Sequence, residues 1–139
     1  MVLKVGVIGC GGIANGKHLP ALAQVEAVEL VAFCDLEIAR AEKAKQTYGT
    51  ADAAVFTDYQ ELLKLDLDAV HILTPNSSHA PLTIAALEAG CHVMCEKPMA
   101  KTSEEAKAMI AAAEKTAKRL TIGYQNRFRT DSEYLHTVC

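Results

Sequence analysis

The chain carries no excess of basic charge: 14 lysines and arginines stand against 17 aspartates and glutamates, a net charge of −3. Without a basic stripe to release counterions, a nucleic-acid or anionic-membrane partner is not expected. The small cluster Lys115, Lys118 and Arg119 reads as the solvated face of a helix. No apolar run approaches the ~20 residues of a membrane helix. The apolar start, Met1 to Ile8, lacks a basic leader and a small-residue cleavage site, so no signal peptide is expected. The five cysteines are odd in number and have no framework spacing, which favours reduced thiols and a cytoplasmic setting over a disulfide scaffold. Internal repeats, low-complexity tracts and linkers are also missing. What remains is a chain that is 50% hydrophobic over 139 residues, enough for one domain with a real core.

The most informative stretch lies at the start. Lys4 to Ile8 is an apolar run of strand length; it breaks into Gly9, Cys10, Gly11 and Gly12 and leaves through Ile13 and Ala14 into helix-compatible residues. A strand, a glycine loop and a helix in this order form the dinucleotide fingerprint. Gly9 permits the tight turn, Gly11 lets backbone touch a pyrophosphate, and Ala14 lets the helix pack on its strand. The N–H groups and positive dipole end of that helix would hold phosphate oxygens.

Periodicity carries the pattern onward. A helix is expected from Gly12 to about Gln24, interrupted by Pro20, then a strand over Val28–Cys34 ending at Asp35. An acidic residue there accepts hydrogen bonds from ribose hydroxyls and repels a 2′-phosphate, favouring NAD; alternatively Asp35 caps the following helix. Arg40, five residues further on, could sit near a 2′-phosphate, which keeps NADP open. A helix over Leu36–Tyr48 stops at Gly49, Val55-Phe56 is a short strand, and Asp58 caps a short helix. Leu67–Leu73 is the fourth strand and runs into the polar loop Thr74-Pro75-Asn76-Ser77-Ser78-His79. A helix ending at Gly90 leads to His92–Cys95 and then Glu96-Lys97-Pro98. Thr102 and Glu105 make a capping box for a helix whose apolar face runs from Ala106 to Leu120, and Thr121–Tyr124 is the sixth strand. Strands alternating with helices predict an α/β fold: a doubly wound, parallel six-stranded sheet of order 3-2-1-4-5-6.

In such a sheet, loops at the carboxyl ends of strands converge on one crevice. Lys97 is the candidate chemical group there, able to share a proton with a substrate hydroxyl. The plain alternative is a surface charge, although Pro98 restricts its direction. His79 either caps its helix or approaches the cofactor, and His71, inside an apolar strand, reads as structural. A metal site from Cys91, His92 and Cys95 is not expected, because four residues of strand separate the thiols by roughly 13 Å.

The segment Ala69–Met99, with Thr74-Pro75-Asn76, His79, Ala89-Gly90 and Glu96-Lys97-Pro98, closely resembles the Gfo/Idh/MocA oxidoreductases. Gly9–Ala14, Cys34-Asp35 and Gln125-Asn126-Arg127-Phe128 agree with it. The resemblance implies a Rossmann domain over residues 1–125 that uses NAD or NADP to oxidise or reduce sugars, inositols or related polyols. It implies Lys97 as the catalytic lysine, a cis Lys97–Pro98 bond, and Glu96 and Asn126 beside the nicotinamide. The cofactor-binding set is then Gly9, Gly11, Gly12, Ile13, Asp35, Thr74, Pro75, Asn76, His79, Glu96, Lys97 and Asn126. Family members continue into an α+β substrate domain and are usually oligomers. Residues 126–139 are therefore expected to begin the connection to that domain, and the chain to be the cofactor half of an oxidoreductase. The rival reading is a non-catalytic dinucleotide-binding sensor or scaffold.

Overall fold

The computed structural model describes residues 2–138. Six strands, β1 (Leu3–Ile8), β2 (Val28–Cys34), β3 (Ala54–Phe56), β4 (Ala69–Ile72), β5 (His92–Cys95) and β6 (Leu120–Ile122), pair in parallel in the order β3-β2-β1-β4-β5-β6. The order reverses between β1 and β4, as expected from the strand and helix alternation. One register line crosses the sheet through Phe56, Cys34, Ile8, Ile72, Cys95 and Ile122. Gly9, Asp35, Thr57, Leu73, Glu96 and Gly123 follow these residues directly, so the carboxyl edge gathers the expected site.

Both faces of the sheet are covered, as a parallel sheet requires. On one face Val5, Val7, Leu30 and Phe33 pack with Ala14 and Leu19 after the glycine loop, and with Ala41 and Ala44 of α2 (Ile38–Tyr48). On the other, Ile8, Ala32, Val70, Ile72 and Val93 meet Leu62 of α3 (Tyr59–Leu62), Leu82, Ala86 and Leu87 of α4 (His79–Glu88), and Met109 and Ala112 of α5 (Ser103–Thr116). Alternating strand residues divide between these two cores.

Two helices, α3 and α5, start on side-chain caps. Asp58 Oδ1 accepts from Gln60 N at 2.8 Å, and Thr102 Oγ1 accepts from Glu105 N at 3.2 Å. Glu105 closes the box one residue further out, on Lys101 N at 2.9 Å. Gly90, at φ 91°, ends α4 in the left-handed conformation.

Several boundaries differ from the expected ones. The first helix is not a continuous α-helix: Ala14–His18 is a π-helical stretch closed by Leu19 N–H to Ala14 O, and α1 is only Leu19–Leu22. Pro20 has no N–H to give to a regular i−4 ladder, so the wide turn lies just ahead of it. Helix α2 begins at Ile38 rather than Leu36, because Asp35 holds the preceding turn. Gly49 stops α2 with extended backbone (φ −79°). Glycine is needed there because a Cβ would lie 2.8 Å from the Phe33 ring. Ala117 is the left-handed cap of α5 at φ 53°, which takes Leu120 off the helix and into β6. That strand stops at Ile122, so Tyr124 lies beyond it. Helix α6 (Thr130–Val138) has no buried residue.

Candidate functional site: a cleft with two ends

The first end is built by the turn after β1. Gly9 adopts φ 95°, and a Cβ on it would lie 2.8 Å from the Leu73 carbonyl carbon and oxygen. Its N–H bonds Cys34 O at 2.8 Å, which ties the turn to the end of β2. Gly11 and Gly12 are different: a Cβ on either would meet nothing within 4 Å. The fold does not itself demand glycine at these two positions, and the open space above them suits a ligand that must touch backbone. Asn15 Nδ2 braces the loop from behind, donating to Cys10 O at 2.7 Å and Gly11 O at 2.9 Å. Asn15 was not among the expected residues, since an Asn inside a helix carries no such signal by itself.

Asp35 holds the start of α2, as one of its two expected readings has it, and also makes a bond that neither reading included. Oδ1 accepts from Glu37 N at 2.9 Å, holding the turn into α2, and Oδ2 accepts from Cys10 N at 2.8 Å, holding the glycine loop. Each oxygen keeps a lone pair for a hydroxyl donor. Arg40 is engaged by Glu37, Nη2 to Oε1 at 2.8 Å. These residues line a cleft of about 650 Å³ together with Gly9, Gly11, Gly12, Ile13, Thr74, Pro75 and Ser78. Asn76 stands exposed in a 3-10 turn (Asn76–Ser78) and is not among the lining residues. His79 is 1% exposed and lies behind the loop, with Nδ1 2.7 Å from Pro98 O and Nε2 2.9 Å from Thr74 O. It braces the tips that follow β4 and β5 and does not line the cleft.

The second end lies beyond β5. The Lys97–Pro98 bond is cis. Lys97 lines a cavity of about 400 Å³ with Tyr124, Gln125, Asn126 and Arg127. Among the described residues its amine has no ion-pair partner within 4.0 Å. Beneath it, Glu96 is 5% exposed. Its Oε1 lies 2.7 Å from His18 Nε2, and its Oε2 accepts from Lys97 N at 3.0 Å. The ring of His71, on β4, meets that of His18 edge-on, with centroids 6.0 Å apart at 74°. Burial, with the neighbouring His18, pushes the His71 imidazole down to about 4, and its Nδ1 is buried without a partner. Burial also raises the thiols, Cys10 to about 12 and Cys34 and Cys95 to about 11. No group of three or more His, Cys, Asp or Glu among the described residues is arranged to hold a metal ion, and no helix among them is long and apolar enough to cross a membrane.

A doubly wound parallel sheet with a glycine loop at its switch point and an acidic residue after β2 is a Rossmann-type nucleotide-binding domain. The chain belongs to the Gfo/Idh/MocA oxidoreductase family, whose NAD-binding Rossmann fold matches residues 3–124. It is 40% identical over 134 residues to the D-glucoside 3-dehydrogenase of Escherichia coli, covering 96% of this chain and 38% of that protein. It is 39% identical over 131 residues to an inositol 2-dehydrogenase of Salmonella typhimurium, covering 92% and 38%. Among solved structures, the WlbA dehydrogenase of Chromobacterium violaceum, in complex with NADH and UDP-GlcNAcA, aligns at a TM-score of 0.91 and 33% identity over 99% of this chain and 39% of that one. The 3-ketoreductase KijD10 of Actinomadura kijaniata, in complex with NADP, aligns at 0.90 and 29% over 99% and 44%. The chain thus spans well under half the length of these relatives.

Proposed function

We propose that this chain is the cofactor-binding part of an oxidoreductase that moves hydride between a nicotinamide dinucleotide and a secondary alcohol of a sugar, inositol or related polyol. The observation that carries this reading is the carboxyl edge of the sheet, where the open glycine loop and Asp35 line one cavity and Lys97, after β5, lines another. The residues fit the cofactor: Gly11 and Gly12 leave backbone exposed where a pyrophosphate would rest, and Asp35 lines the same cavity, where its carboxylate would meet a ribose. Gly9, Ile13, Thr74 and Pro75 would form the walls, with Glu96 and Asn126 near the nicotinamide. His79 and Asn76 would contribute by holding the loop that Thr74 begins. We read Asp35, with Arg40 drawn to Glu37, as a preference for NAD over NADP.

When bound, the nicotinamide supplies the two-electron hydride acceptor or donor. Lys97 Nζ exchanges the proton of the substrate oxygen, taking it in the oxidative direction and returning it in the reductive one. The carboxylate of Glu96 fixes the amide from which that side chain springs. Residues 126–139 would begin the connection to a substrate-covering domain, and the exposed Phe128, Leu135 and Val138 suit burial there or against a second copy. Four buried, unpaired cysteines fit a reducing, cytoplasmic setting.

Without a wall opposite Lys97, a polyol is not held within the ~3.5 Å that transfer requires, so these 139 residues should bind cofactor without sustained turnover. The test follows NADH fluorescence on titration, then absorbance of the reduced nicotinamide with NAD and a panel of inositols and sugars. Binding without turnover is expected. Failure to bind NADH would remove the dinucleotide reading, and sustained reduction would show that the whole active site is already present.

A further inference from the structure

His18 lines neither cavity, yet it makes one of the shortest side-chain contacts in the molecule, 2.7 Å from Nε2 to Glu96 Oε1 across 78 positions of sequence. Both partners are largely buried, their side chains 14% and 7% exposed. A carboxylate withdrawn from water to that degree needs donors on both oxygens, and here they are the His18 ring N–H and the Lys97 backbone N–H. The surroundings are shaped to the carboxylate. A Cβ at Gly123, after β6, would lie 3.3 Å from Glu96 Oε1. His71, driven neutral at ordinary pH by burial, contributes a ring edge and no competing charge. His18 is also the last residue of the π-helical stretch, a local widening that often marks functional positions.

We propose that His18 is a positioning residue: through Glu96 it fixes the Lys97 backbone to the helix that follows the glycine loop, and so sets where the nicotinamide end of a bound dinucleotide lies. The helix that holds the phosphates and the tip that carries the amine then move as one body. Phosphate and ribose contacts at Gly11 and Asp35 do not pass through this pair, so a ligand that stops short of the nicotinamide is indifferent to it. The inference rests on the dinucleotide reading above, with the nicotinamide at the Lys97 end.

The experiment titrates the 139-residue chain with NADH and, separately, with ADP-ribose, which keeps the pyrophosphate and adenosine ribose but lacks the nicotinamide. Losing a charge-assisted bond at a buried group is worth about a tenfold change. For His18→Ala, NADH affinity should therefore fall by about that factor while ADP-ribose affinity stays within about twofold. His18→Gln, which can still present an N–H near the Nε2 position, should recover most of the NADH affinity. Should His18→Ala prove too unstable to titrate, His18→Phe, which keeps a ring of similar size but presents no donor to Glu96, should give the same split. Equal losses for both ligands would mean that the pair only stabilises the fold, and no loss for either would mean that it positions nothing; both results overturn the proposal. If the unaltered chain binds ADP-ribose but not NADH, the nicotinamide end is wrongly assigned. If it binds neither, the dinucleotide reading itself fails.

Discussion

The two ends of the site, one cavity at the glycine loop and another at Lys97, are built in different ways. At the glycine-loop end the contact surface is backbone: Gly11 and Gly12 expose it, and the polar side chains Asp35 and Asn15 hold the loop by its own N–H and carbonyl groups. At the Lys97 end the contact surface is side chain, held up from beneath by Glu96 and His18, with His71 packed against the His18 ring. A backbone surface binds anything that carries phosphates and is written in a few consecutive residues. A side-chain surface is specific to one group, and its support comes from distant parts of the chain.

The largest expected effect separates two glycines of the same loop. Gly9→Val forces a β-branched residue to φ 95° and drives its Cβ to 2.8 Å from the Leu73 carbonyl. Strain and overpacking together should cost about 3–4 kcal/mol of stability in a denaturant titration. Gly11→Val, with no neighbour to meet, should leave stability within about 1 kcal/mol of the parent. A similar loss of stability in both variants would erase the distinction between fold-required and ligand-required glycine.

The next effect belongs to the other end. His71 titrates near 4 in the fold and near 6.5 when unfolded, so between these values the unfolded chain binds more protons. Its contribution is intact above pH 6.5 and is lost as pH falls toward 4, about 3 kcal/mol in all. Melting temperature should decline over this window, and His71→Gln should flatten the decline. An unchanged acid limb in that variant would show that His71 is not the group responsible.

A smaller change is expected for Asp35→Ala. Removing the carboxylate should cut the preference for NADH over NADPH by about tenfold in parallel titrations. Because Asp35 also holds Cys10 N and Glu37 N, some stability should go with it. A preference for NADPH in the unaltered chain would mean that Arg40 outweighs Asp35.

The smallest effect is a shared one. Cys10 in one core, and Cys34, Cys91 and Cys95 in the other, are all buried and have raised thiol pKa values. In a Cys139→Ser background none should react with a thiol reagent at neutral pH until the chain unfolds. Fast labelling of Cys10, or of any of the other three, would expose a breathing motion on that side of the sheet.

How much of this was legible in the sequence follows from the same contrast. The sheet order, the Gly9 turn, the Asp58 and Thr102 caps and the Gly90 stop are local signals, each written within a few residues, and the structure has them all. For Asp35 the sequence offers ribose or the helix start, but its hold on the glycine loop is not legible there, because the bond to Cys10 N crosses 25 positions. The π-helical stretch was hidden because Pro20 announces an interruption without saying how the ladder accommodates it. His18 carried no signal at all in its own neighbourhood. The clue lay in Glu96, since a carboxylate next to an apolar strand tip needs a donor from somewhere. The helical pattern from Ala106 to Leu120 runs straight across Ala117, because alanine rarely enters the left-handed region, and here the end of α5 requires it.

The central claim is that the open glycine loop holds the phosphates of a nicotinamide dinucleotide. Calorimetric titration of the chain and of its Gly11→Val variant with NADH tests it most directly, alongside circular dichroism to confirm that both are folded. One site per chain is expected in the parent, and at least a hundredfold weaker binding, about 2.7 kcal/mol, in the folded variant. Unchanged affinity in a folded Gly11→Val chain would contradict it.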